Sequence, residues 1–211
     1  MKIRHWNYLA FALASSQLAF VSNAFAGGSV PDCDYTKLVV NAPSTVNLVA
    51  QGKSSGSVEG TDKELGYLRY KCSSGKLVID TKNNVRISKG YQFNLTNGSV
   101  NEVILNGDQE ANITEVTANE FDLSVYGSAT SQVSGNAEYL SVTADGDVDV
   151  DASELKAKKV KVRINGSGQV KVHASETLDA QANGSGRIEY SGVPEHLKAS
   201  FNGSGSISST Q

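Results

Sequence analysis

The chain has 211 residues, 39% hydrophobic and only 7% aromatic, with a formal net charge of −3 at pH 7. An acidic balance without a basic cluster makes nucleic acid and anionic membrane surfaces poor partners. Two cysteines and three histidines are too few for a Cys/His metal centre.

Residues 1–26 read as a signal peptide: Lys2 and Arg4 form a positive n-region, and an apolar stretch runs from Tyr8 to Val21. Ala24-Phe25-Ala26 then places small residues at the −3 and −1 positions of a cleavage site. An uncleaved anchor is the alternative, but Ser15, Ser16 and Gln17 interrupt the stretch, which is short for a span. No later apolar run approaches the roughly 20 residues of a transmembrane helix. The expectation is an exported chain: periplasmic, outer-membrane-associated or extracellular. Cleavage removes two positive charges, taking the net charge from −3 to −5. In an oxidising compartment Cys33 and Cys72, with no third thiol, read as one disulfide, two free buried thiols being the alternative.

Residues 27–98 carry short alternating segments: Val46-Asn47-Leu48-Val49, Tyr67-Leu68-Arg69-Tyr70, Leu77-Val78-Ile79 and Tyr91-Gln92-Phe93-Asn94-Leu95. Gly52, Gly56, Gly60, Gly75 and Gly90 punctuate them. They read as a β-rich N-terminal cap with irregular coils, continuous with the C-terminal half of the chain. A cap is required because an open coil end offers unpaired strand edges.

Residues 99–211 repeat. Asn165-Gly166-Ser167-Gly168, Asn183-Gly184-Ser185-Gly186 and Asn202-Gly203-Ser204-Gly205 share one tetrapeptide, and Gly107, Gly127 and Gly146 extend the series backwards at gaps of 18 to 20 residues. Six, four and two residues before these glycines stand Val160, Val162 and Ile164, then Leu178, Ala180 and Ala182, then Leu197, Ala199 and Phe201. The positions four and six after them are apolar as well, as at Val170 and Val172. Alternation on both sides of a glycine corner means two short strands, each with one face buried. A period of about 19 residues predicts a single-stranded parallel β-helix (solenoid), in which stacked coils align equivalent side chains. A β-sandwich is the rival, but it has no reason to repeat one tetrapeptide in one register. The twelve Asn-Gly-Ser-Gly residues are assigned as structural corners: φ > 0 suits Gly and Asn, and stacked asparagines can bond along the axis.

The chain resembles the auto-transporter adhesin head, or GIN, domain family. The resemblance rests on Val160-Lys161-Val162-Arg163-Ile164 leading into Asn-Gly-Ser-Gly and on Gln169-Val170-Lys171-Val172. It continues through Leu178–Ala182 into Ile188-Glu189-Tyr190-Ser191-Gly192 and Pro194, and covers roughly residues 35–209. It implies a right-handed β-solenoid of an exported bacterial protein and brings no catalytic residues. The sequence ends at Gln211 with no translocator barrel, so autotransport of this polypeptide is not expected.

Asp147, Asp149 and Asp151, following Asp145 at strand spacing, are a candidate Ca²⁺ row. A solvated outer face is the reading adopted, since Gln169, Arg187 and Ser206 occupy the equivalent positions after the later corners. Polysaccharide-processing β-helices gather carboxylates with Arg or Lys, and Asp122, Asp147, Asp149 and Arg163 are the conceivable members here. His173 and His196 hold unlike positions in the repeat and complete no triad. Six Asn-x-Ser/Thr sequons occur, three of them imposed by the corners. No enzyme activity and no cofactor are expected. The leading expectation is a surface module that binds a glycan or an envelope protein; a periplasmic carbohydrate-active enzyme and a scaffold assembling end to end through Phe201 and Ile207 are the alternatives.

Overall fold

The structure is a computed structural model and describes residues 26–210. The expected signal peptide falls, apart from Ala26, outside the described residues. The fold is all-β: β1 (Ala26–Ser29), β2 (Lys37–Val40), β3 (Ser44–Val49) and β4 (Ser55–Gly60) precede one helical turn, α1 (Asp62–Leu65). Then come β5 (Leu68–Ser73), β6 (Lys76–Thr81), β7 (Tyr91–Thr96), β8 (Glu102–Gly184), β9 (Arg187–Ser191), β10 (His196–Gly203) and β11 (Ser206–Ser209).

The 83 residues of β8 could reach roughly 270 Å if straight. Instead the backbone passes beside itself at each corner glycine. A Cβ built on Gly127 would stand 2.6 Å from the Gly107 carbonyl oxygen, and one on Gly184 would stand 2.6 Å from that of Gly166. Gly146, Gly166 and Gly203 would likewise strike the carbonyls of Gly127, Gly146 and Gly184. All of these glycines hold positive φ, so the corner needs both the missing side chain and the left-handed backbone. Past β8 the parallel pairing continues: β9 adds to β8 with Val170 opposite Ile188, β10 with Ala180 opposite Ala199, and β11 to β9 with Ile188 opposite Ile207.

Between the passes lies one apolar core. Val162, Ala180, Val142, Leu123 and Phe121 are buried, as are Val150, Val170 and Val172 after the corner. Each buried Leu or Phe contributes roughly 2 kcal/mol of transfer free energy. Outside, asparagine amides bridge neighbouring passes: at the corners Asn183 Nδ2 donates to Asn165 Oδ1 at 2.9 Å and Asn106 Nδ2 to Asn41 Oδ1 at 2.8 Å, and between β3 and β7 Asn47 Nδ2 donates to Asn94 Oδ1 at 2.9 Å. Tyr126 and Asp145 stand at the intervening corners and interrupt the amide series.

Two features depart from the sequence reading. The sheet is mixed: β1–β4, β4–β7 and β5–β6 are antiparallel. For β5–β6 the cause is local, because Ser74 and Gly75 both take positive φ and close a two-residue hairpin. The early strands also stack out of chain order. β3 lies between β7 and β8, and β2 between β6 and β8, so the segment spanning β6 and β7 passes outside the segment spanning β2 and β3. The second departure is at the far end, where Leu197, Ala199 and Phe201 hold inward positions yet are exposed because, among the described residues, β10 has a strand partner on one side only. The expected Cys33–Cys72 disulfide is present, with Cα atoms 6.3 Å apart, tying the segment after β1 to β5.

Close backbone stacking makes a sharp prediction. Gly166→Ala puts a Cβ against Gly146 at φ +122° and should cost about 2 kcal/mol or more, whereas Gly27→Ala, with nothing within 4 Å, should stay within about 0.5 kcal/mol of wild type. Urea unfolding monitored by far-UV circular dichroism checks both.

Candidate binding groove

Immediately after each corner, two outward positions recur with one inward position between them. The first outward column reads Asp108, Ser128, Asp147, Ser167, Ser185, and the second Thr45, Glu110, Thr130, Asp149, Gln169, Arg187. Strand pairing spaces neighbours in such a column by about 4.8 Å. The inward positions between them are Gln109, Ala129, Val148 and Gly168, small toward the later passes. Gly168 is small by necessity: at φ +127° any Cβ would collide with the Val148 backbone. Apart from Ser167, columns and floor together line an axial groove of about 960 Å³, with Lys89 and Arg187 among its lining residues. Arg187 is held loosely by Glu189 at 3.9 Å.

One wall of the groove comes from the unpaired residues 87–90 and from Tyr91, the first residue of β7. Its anchor is Glu64, a buried carboxylate on α1. Glu64 Oε1 accepts from the Ser88 backbone N–H at 2.7 Å, the Ser88 hydroxyl at 3.1 Å and the Lys89 backbone N–H at 3.2 Å. Thr61 caps α1 by accepting from the Glu64 backbone N–H, and its hydroxyl donates to Glu64 Oε2 at 3.1 Å. These bonds, led by that from the Ser88 backbone, lower the Glu64 pKa despite its burial. Tyr91 donates its hydroxyl to the Glu64 carbonyl at 2.7 Å, and burial first, then the Glu64 charge, pushes its pKa up to about 12. The Thr61-x-x-Glu64 spacing is a capping-box signature that could have located α1, but nothing local discloses that the carboxylate reaches Ser88. Gln109 shares its place in the repeat with Ala129 and Val148, but its bonds are not legible from that place. It is buried at the groove floor, with its amide N–H donating to the Asn106 carbonyl at 2.6 Å and the Ala42 carbonyl at 3.3 Å.

The structure separates the residues singled out in sequence. Asp147 and Asp149 line the groove. Asp151 does not join them; its carboxylate accepts from the Ser153 hydroxyl at 2.6 Å and lies 4.0 Å from Lys171 Nζ. Among the described residues no three His, Cys, Asp or Glu side chains gather as a metal site. Asp122 and Arg163 stand before the corner, on a different row from Asp147 and Asp149. Burial raises the Asp122 pKa, and Arg163 Nε donates to Gln181 Oε1 at 3.1 Å. His173 Nδ1 lies 3.0 Å from the Ser191 hydroxyl beside a smaller depression lined by Lys156, Lys158 and Glu138, while His196 is exposed at the start of β10.

The family model described as "Putative auto-transporter adhesin, head GIN domain" matches residues 34–194. The chain belongs to this family. A crystal structure titled a putative adhesin from Bacteroides fragilis is similar to the GIN chain with a TM-score of 0.70 at 19% identity, covering 89% of this chain and 98% of that one. Another, titled a putative lipid binding protein from Parabacteroides distasonis, matches with a TM-score of 0.52 at 21% identity, covering 89% and 97%. At these identities the likeness establishes the fold alone. No curated protein matches the chain.

The Glu64 anchor gives a pH prediction. Its folded pKa is depressed, so its stabilisation is complete above the unfolded carboxylate value near 4.3 and is lost as pH falls through the folded value. Glu64→Gln should cost about 1–3 kcal/mol at neutral pH and flatten the acid limb of stability against pH. Urea midpoints measured from pH 7 down to 3 for both proteins test this.

Proposed function

We propose that this GIN-family chain is an exported, non-enzymatic binding module, a right-handed parallel β-solenoid of about 19-residue coils behind an N-terminal β-rich cap. In this reading residues 27–98 form the cap, residues 99–211 the regular coils, and the two make one continuous domain. The Asn-Gly-Ser-Gly residues serve as its corners. Four observations support it: the glycine-on-glycine approaches along β8, the parallel pairings of β9, β10 and β11, the Cys33–Cys72 disulfide and family membership.

The observation that carries the binding reading is the axial groove, with hydroxyl, carboxylate and amide side chains in two columns at strand spacing. Such a surface offers repeated, equally spaced acceptors to a chain laid along it, and weak contacts repeated on one ligand add up. Asp108, Glu110, Asp147 and Asp149 make the middle of the groove negative, so it disfavours acidic polymers and suits neutral or amino-sugar glycans at the cell surface. An envelope protein presenting an extended basic segment would use the same contacts.

A glycan array probed with the purified protein, followed by calorimetric titration of the best ligand, tests this. Glu110→Ala combined with Asp149→Ala should weaken binding about tenfold or more, while Asp122→Ala, before the corner, should leave it within about twofold. Equal losses from both, or no neutral or amino-sugar ligand, would sink the groove as the site.

A further inference from the structure

The two ends of the strand stack differ. At one end antiparallel partners cover the early passes: β4 lies against β7, β1 against β4, and β5 against β6. At the other, β10 has a strand partner on one side only among the described residues. Its inward side chains therefore end the core columns in the open: Leu197 is 49% exposed and Phe201 61%, with Val193, 73% exposed, just before the strand. Val49 and Tyr126, the other large apolar residues exposed to a comparable degree, are 37% exposed each.

From this asymmetry we infer that β10 is a self-association edge, on which a second copy of the chain docks end to end about a two-fold axis. The strand itself specifies this occupant. When two copies of one strand pair antiparallel in a sheet whose inner faces coincide, inward residues must stand opposite inward residues. Centring the axis on Ala199 satisfies this and sets Leu197 of each copy opposite Phe201 of the other. Shifting the centre to Lys198 would oppose two ammonium groups and leave Phe201 opposite Glu195. Shifting it to Ser200 would leave Leu197 opposite Gly203. The Ala199 register also places Lys198 opposite Ser200, with no like charges opposed.

The same two-fold exchanges the segments on either side of β10. It brings Ile207, half-buried at the end of its column, toward Val193 of the other copy. The covered end explains why growth stops at two. A head-to-tail filament would have to pair β10 with β1 or β5, the outermost strands there, which run antiparallel to their partners and carry none of the exposed large apolar residues among the described residues, so Phe201 would meet no apolar counterpart. In the dimer the axial grooves of the two copies lie on opposite sides of the two-fold, giving a bivalent rod.

Sedimentation equilibrium of the purified protein over a wide concentration range should show reversible monomer–dimer association without larger species. Phe201→Lys should raise the dissociation constant about tenfold or more with an unchanged urea midpoint. Ala199→Cys should form an intermolecular disulfide under mild oxidation, because Ala199 faces its own copy, whereas Ser208→Cys should not. A strict monomer at high concentration, concentration-dependent growth beyond the dimer, or association untouched by Phe201→Lys with no crosslink at position 199 would each overturn the two-fold edge. Glycan binding by a monomeric Phe201→Lys variant is read separately, so failure here leaves the groove standing and failure of the groove leaves the dimer standing.

Discussion

Most of the structure depends on backbone approaching backbone at the corner glycines. A strand pass of this length cannot bury its own inner face, so the apolar positions have value only if the next pass lands in register. The corner enforces that register. Gly127 sits on Gly107, Gly146 on Gly127 and Gly166 on Gly146, so closely that a methyl group has no room. Register then propagates by two-residue alternation to Val142, Val162 and Ala180 on one side of the corner and to Val150 and Val170 on the other. The asparagine pairs add directional bonds outside the core, but Tyr126 and Asp145 show that the stack tolerates their loss. The glycines set the fold and the asparagines trim it.

The same register builds the groove. Once inward positions are aligned, outward positions are aligned without further cost, and a residue type that recurs after each corner becomes a column. The floor is concave where Ala129 and Gly168 replace larger side chains. The repeat supplies no wall, and that comes from the irregular region. Glu64 gathers the Ser88 and Lys89 backbone amides and holds Ile87–Tyr91 beside columns that the repeat had already set.

The sequence was legible where structure follows from a period. Strict alternation around Gly166 and Gly184 gave the strands and the buried side chains on either side of those glycines, and two cysteines in an otherwise thiol-free chain gave the disulfide. It was opaque where contacts link segments without a shared period. The placement of β3 between β7 and β8 is a long-range choice between strands of similar composition, with no local residue to announce it. Of the antiparallel pairs, β5–β6 has a local cause in Ser74-Gly75, a weaker hairpin signal than Asn-Gly. Asp147 and Asp149 were picked out as a possible cation row. Their setting is instead one stretch of a longer polar surface with hydroxyls above and below, while Asp151 spends its carboxylate on Ser153 and Lys171.

The repeat pattern alone predicts burial for Leu197, Ala199 and Phe201, because it assumes a neighbour on both sides of every pass. Among the described residues β10 has one neighbour, so the apolar side chains that complete a column elsewhere are exposed here. A stack of strands needs some device to shield its outermost members. This chain has one at its first passes, in crossing antiparallel strands, but not at β10, where Phe201 keeps the inward register of Val125 and Ile164. Retaining a large aromatic at a position that leaves it 61% exposed is the departure from simple repetition that distinguishes this end. It makes the edge a part of the surface with its own chemistry, distinct from the polar columns that run along the sides.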